Sequence, residues 1–240
     1  PVGDGGARQT FGFAGEHIVV TVFGTENSGN SSEFLRIGAW LAGLVWALGA
    51  SFALFRLAIG HLRVRRYLRN ARTFVPPEGP WQDRIPFPVL LSPLAPMPMA
   101  VGLSKPYIVL PAGAPGWEPG QLRRVLLHEA AHLRRNDVLW KLIASVAGAL
   151  YWFHPVVQFA LRMFSAEREQ ACDDAVLATG ALPSHYAADL LAFARNAAPE
   201  RIPAAILLVS RPQLEARIAA ILDGSRPRQN LRSNNMTIYT

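Results

Sequence analysis

Between Arg36 and Arg56 the chain runs for nineteen residues without a charged side chain, and the stretch carries Trp40 and Trp46. In hydrocarbon every backbone N–H and C=O must be satisfied within the segment, so a single run of this kind has one option, the α-helix. Nineteen residues at 1.5 Å each approach the thickness of a bilayer core. A transmembrane helix is therefore expected over residues 34–60; the competing reading is a buried helix of a globular core. Directly behind it stand Arg63, Arg65, Arg66, Arg69 and Arg72, whereas the preceding flank has only Arg8 and Arg36. Basic residues collect on the cytoplasmic side of a membrane helix. Residues 1–33 are thus expected to form an extracytoplasmic loop, with one strand pair near His17 to Phe23. Residues 61–223 then form a cytoplasmic domain and residues 224–240 a polar tail. Half of the chain is hydrophobic and the net charge is +7. A juxtamembrane position accounts for the arginines, and Tyr67 is the one aromatic among them, so direct nucleic-acid binding is not expected. A single cysteine, Cys172, excludes an intrachain disulfide. The chain begins at Pro1, not at Met, and is expected to be a fragment.

Behind the span, residues 73–118 are rich in proline, which confines strands to a small sheet. Phe87 to Leu91 and Tyr107 to Leu110 read as strands, the second between Pro106 and Pro111 and hence expected at an edge. Everything beyond is helical: Gln121 to Leu133, Val138 to Phe153 with Asp137 as its cap, Pro155 to Thr179 stopped by Gly180, Ser184 to Ala197 and Gln213 to Leu222. The fold class is α+β, mainly helical. Val138 to Phe153 is very apolar but contains Lys141 and is short for a span; it reads as a core helix or one lying at the membrane surface.

The chemistry concentrates in His128-Glu129-Ala130-Ala131-His132. Histidines four apart on a helix share a face and can reach one zinc ion, and the glutamate beside the first can serve as base toward water on the metal. Leu126, Leu127 and Leu133 would keep the site dry. By chance the pattern arises in roughly one chain in a couple of hundred, so a second feature is needed. A catalytic zinc site wants a third protein ligand. In SAEREQACDDAVL, Ser165 to Leu177, Glu169 shares its helix face with Ala166, Cys172, Asp173 and Val176. Glu167 points about 160° away. The expected ligands are His128, His132 and Glu169, with Glu167 and Cys172 as competitors. Asp173 and Asp137 are candidates to hold the imidazole N–H groups, and His154 or Tyr186 to stabilise an oxyanion.

Four pieces, PMPMAVGLSKPYIVLP (Pro96 to Pro111), LLHEAAHLRRND (Leu126 to Asp137), YWFHPVV (Tyr151 to Val157) and EREQACDDAVL (Glu167 to Leu177), resemble in order and spacing the membrane-embedded zinc peptidases typified by the BlaR and MecR beta-lactam signal transducers. Relatives usually show several membrane helices and a penicillin-binding domain; here one clear span is visible. The resemblance implies a zinc metalloendopeptidase of the bacterial inner membrane facing the cytoplasm, with one Zn2+ on His128, His132 and Glu169 and Glu129 as general base. It also implies a protein substrate, either a cytoplasmic transcriptional repressor or the protein itself. Tyr107, Ile108, Val109 and Leu110 would offer an edge to an extended peptide. Membrane lipid and a second copy of the chain are the other expected partners. A quality-control protease and a non-catalytic zinc-containing scaffold are the rival functions.

Overall fold

The computed structural model describes residues 8–13, 16–21, 28–77, 79, 82–196 and 204–226. Parts of the expected loop 1–33 and most of the tail 224–240 lie outside them. Two compact units are present, Pro1–Gly49 and Ala50–Thr240. In the first, β1 (Arg8–Phe13) pairs antiparallel with β2 (Glu16–Thr21), Phe13 opposite Glu16.

Helix α1 runs from Ser28 to Arg69, well beyond the apolar run that nucleates it. Its apolar stretch is long enough to cross a membrane and almost none of it is buried. Leu35 and Trp40 are 74% and 77% exposed. A core helix would hide these side chains, so the reading as a buried helix is set aside.

A mixed four-stranded sheet follows, ordered β3-β4-β6-β5: β3 (Arg72–Phe74), β4 (Val89–Ser92), β5 (Met99–Val101) and β6 (Tyr107–Pro111). β4 and β6 are parallel, with Leu90 opposite Val109; β5 and β6 are antiparallel. The β5–β6 turn needs Gly102, at φ +95°, because a Cβ there would stand 1.9 Å from the Lys105 carbonyl oxygen. Tyr107 to Leu110 is consequently not an edge strand. Both of its sides are paired, and Ile108, Val109 and Leu110 are all fully buried because both faces are covered. Ile108 and Leu110 pack toward Leu122, Val125 and Leu126, while Val109 joins Val101 and Ala95 against Val64 and Leu68 at the end of α1. The flanking prolines sit at the strand's ends, where a missing N–H costs little, and so did not mark an edge. The outer strands of this sheet are β3 and β5.

Among the described residues, five α-helices complete the second unit: α2 (Pro119–Arg134), α3 (Asp137–Leu150), α4 (Pro155–Leu177), α5 (Pro183–Asn196) and α6 (Ala204–Leu222). Helix α2 starts with Pro119 at its first position and the Glu118 carboxylate accepting from the Gly120 and Gln121 N–H groups. Every residue from Val125 to Leu133 is buried, as expected of a helix enclosed on all sides. Leu127 on its other face meets Val176, Leu177, Tyr186, Ala187 and Ile221 from α4, α5 and α6. Asp137 does not cap α3. Asn136, at φ 55°, occupies the cap position, and Asp137 is the first helical residue with its carboxylate turned elsewhere. The left-handed turn at Asn136, tolerated by asparagine, swings α3 away from α2 and points that carboxylate back at His132.

Candidate metal centre

His128, Glu129 and His132 are each buried in the C-terminal half of α2, 8–9% exposed. The four-residue spacing stacks the two imidazoles, ring centres 4.8 Å apart and planes nearly perpendicular. Opposite them α4 presents Glu169. Its Oε2 lies 3.6 Å from His128 Nε2 and its Oε1 3.7 Å from His132 Nε2. These separations exceed a hydrogen bond. They fit donors gathered around one small cation, since ligands at about 2.1 Å on a tetrahedral zinc stand roughly 3.4 Å apart. Glu167, two residues earlier, is exposed to solvent.

What aims both Nε2 atoms at Glu169 is the pair of groups behind the rings. His132 Nδ1 is 2.8 Å from Asp137 Oδ2. His128 Nδ1 is 2.9 Å from the Tyr186 hydroxyl, which donates in turn to Asp173 Oδ1 at 2.7 Å; Asp173 Oδ1 itself is 3.3 Å from Nδ1. A carboxylate can only accept, so the network assigns the proton to Nδ1 in each ring and leaves the Nε2 lone pair for a metal. Tyr186 thus stands behind His128 rather than on the substrate side, and is not an oxyanion donor. His154 is no better placed: it precedes α4, some 22 Å of helix from Glu169.

Cys172 lies on the same rear side, Sγ 3.2 Å from His132 Nδ1 and 3.6 Å from Asp137 Oδ2. Burial, with Asp137 and Glu169 nearby, pushes its thiol far above the ordinary range. It is a neutral buried side chain, and Nδ1 cannot both donate to Asp137 and bind a metal beside it.

The residue that sequence reasoning passed over is Arg217, on α6. Its Nε and Nη2 form a fork on Asp173 at 2.8 and 2.7 Å, and its Nη1 lies 3.3 Å from Glu169 Oε2. One guanidinium therefore holds both the third candidate ligand and the carboxylate behind His128. Nothing local announces it, since Arg217 is 44 residues from Asp173. Charge organises the cluster. Burial alone would raise Asp173, but Arg217 and His128 outweigh it and hold the carboxyl down at about 2. Burial also acts to raise Glu169, yet the two histidines and Arg217 keep it well below the usual carboxylate range. For His128, burial acts to lower the pKa; the carboxylates of Asp173, Glu169 and Glu129 prevail and raise it to about 9. Without a metal, His128 is therefore a cation whose compensation is a ring of carboxylates, a site that a divalent ion can occupy by displacing a proton.

Residues 28–221 match the family model described as BlaR1 peptidase M56, four-fifths of the chain. The chain belongs to the M56 peptidase family. It is similar to regulatory protein BlaR1 of Bacillus licheniformis, 31% identical over 144 residues, which are 56% of this chain and 24% of the relative. It is also similar to the methicillin resistance mecR1 protein of Staphylococcus aureus, 30% identical over 81 residues, 33% of this chain and 14% of that one. The matched stretches thus span a quarter or less of these relatives' lengths. Membership of a metallopeptidase family agrees with the donor set His128, His132 and Glu169, and the apolar α1 with a membrane-associated protein.

Arg217→Ala is expected to weaken zinc binding about 10- to 100-fold, the usual effect of losing a group that orients ligands. Arg217→Lys should recover little of it, because an ammonium cannot make the fork. Competition with a chromogenic chelator measures both; unchanged affinity in the alanine variant would show that Arg217 has no part in the site.

Proposed function

We propose that this chain is a zinc-dependent metalloendopeptidase held in the bacterial inner membrane by α1, its peptidase domain, residues 61–223, facing the cytoplasm. The observation that carries the reading is the convergence of two Nε2 atoms and one carboxylate beside the buried Glu129. His128, His132 and Glu169 would hold the ion; three protein ligands leave a position open. The chemistry zinc supplies there is activation of water and polarisation of a carbonyl. Glu129 takes the proton from the attacking water and delivers it to the leaving amine. Asp137, Tyr186 and Asp173 keep the imidazole protons at Nδ1 throughout, and Arg217 keeps Glu169 ionised. The free edge of β5, Met99–Val101, which packs against α2, is the surface we assign to an extended substrate strand, in place of Tyr107 to Leu110. The arginines after the span support the cytoplasmic orientation. Family membership supports regulatory proteolysis, of a cytoplasmic repressor or of the chain itself, over broad quality control.

Treatment of the detergent-purified chain with 1,10-phenanthroline is expected to abolish cleavage of a model peptide, and one zinc per chain to restore it. Zinc uptake must expel the His128 proton, so below about pH 9 the apparent zinc affinity should fall about tenfold per pH unit. Lower pH favours the protonated ring and therefore the metal-free protein. Cleavage that survives complete zinc removal would refute the reading.

A further inference from the structure

The α3–α4 hairpin carries an apolar surface that the peptidase reading leaves unused. From Leu142 to Leu161 there is no Asp, Glu, Lys or Arg. The turn joining the helices, Tyr151-Trp152-Phe153-His154, is exposed throughout. Behind it the apolar side chains also face outward: Phe153 is 55% exposed, Val156 66% and Phe159 64%, with Trp140 and Ile143 on the α3 side. Val156, Phe159 and Met163 recur at helical spacing, so the patch is a continuous stripe rather than scattered exposure. The two helices are firmly joined, which makes the exposed tip a rigid wedge. Gln158 Nε2 donates to the Gly148 and Tyr151 carbonyls at 3.2 and 3.3 Å, and a Cβ at Gly148 would strike Leu161 at 2.7 Å.

We propose that this hairpin is a second membrane contact, entering one leaflet of the bilayer tip first. Three observations select lipid over a protein partner. The tip groups Tyr151, Trp152 and Phe153, aromatic side chains whose large exposed apolar surfaces gain by leaving water and whose few polar atoms are tolerated just beneath the headgroups. The first charges met on leaving the tip are all basic: Arg162 on α4 and Lys141 on α3. Cations at that level suit anionic headgroups, and long basic side chains can reach them from slightly below. The depth also fits. Arg162 stands about 10 Å of helix from Pro155, the depth to which monotopic helices sink, and well short of a span. Another 10 Å along α4 lies Glu169, which places the metal centre on the aqueous side close to the headgroups. Insertion stands on the exposed surface alone and does not depend on the centre being catalytic.

Because α1 would itself hold the chain in lipid, simple partition cannot test this; a depth measurement can. Phe153→Cys in the full chain would be labelled with the fluorophore NBD and reconstituted in phosphatidylethanolamine–phosphatidylglycerol vesicles. The native Cys172 is buried and stays unlabelled. Glu215→Cys on α6 serves as the aqueous control, and Phe159→Cys replaces the first variant if that one does not fold. The expected result is at least a threefold stronger quenching at 153 than at 215 by lipids brominated in the acyl chain, with iodide quenching in the reverse order. Iodide quenching at 153 equal to that at 215 would overturn the proposal by showing the tip in water. Protection from both quenchers that is lost on dilution of the protein in the bilayer would also overturn it, by showing a second copy on the surface.

Discussion

Replacing Glu129 by Gln is expected to reduce kcat for peptide hydrolysis by about a thousandfold or more while zinc remains at one per chain. The side chains are nearly isosteric, and Glu129 is buried at 8% exposure among residues that the change does not disturb. The amide lacks the one capacity the reaction needs, accepting a proton from water and returning it to the amine; general-base contributions of this kind lie around 10²–10⁴-fold. Separating zinc content from turnover is what gives the experiment force. A variant that loses zinc as well would mean that Glu129 supports the site structurally. A variant with zinc retained and activity near wild type would remove Glu129 from the mechanism. The same protein tests the scaffold alternative, in which signalling would persist without cleavage.

Glu169→Ala is expected to lower bound zinc from one per chain to nearly none under conditions that leave the wild type loaded. Only Glu169 brings an oxygen from α4 within 3.7 Å of both Nε2 atoms. Two imidazoles on one helix remain in the variant, and two ligands hold zinc far more weakly than three. Arg168 Nη2 and Arg217 Nη1 also lose their carboxylate partner at 3.1 and 3.3 Å, so the emptied position becomes more positive and repels a cation further. Glu167→Ala is the matched control. Its side chain is exposed two residues away, and zinc should stay bound. Metal analysis after gel filtration distinguishes the cases: full zinc in Glu169→Ala would reject it as the third ligand, and loss in Glu167→Ala would transfer the role.

These residues were legible from the chain because helical spacing is a local property. His128 and His132 share a face whatever surrounds α2, and the ordering of Glu169 over Glu167 follows from which side of α4 carries Cys172 and Val176, both fully buried. The apolar run of α1 and the proline and glycine positions that delimit α2, α4 and their turns were equally readable, since each acts on its own few residues. Strands β3 and β5, three residues each, are too short for a two-residue alternation to register. Asp137 was read both as a partner for an imidazole N–H and as the cap of α3, and only the cap reading fails. The αL turn at Asn136, which moves the cap back by one and frees the carboxylate, is a choice of backbone that composition does not announce.

The sequence by itself therefore determined the membrane-length helix, the helical class of the second unit, and the residues able to bind a metal, because each depends on periodicity within one element. Only the tertiary structure decided that Tyr107 to Leu110 is an inner strand, that Tyr186 stands behind His128, and that Arg217 bridges Asp173 and Glu169. Those assignments join groups 44 and 58 residues apart, or depend on which strands lie on either side. They arise when the apolar faces of α2, α4, α5 and α6 close on one another, and the polar groups caught between them must find partners or remain buried without any.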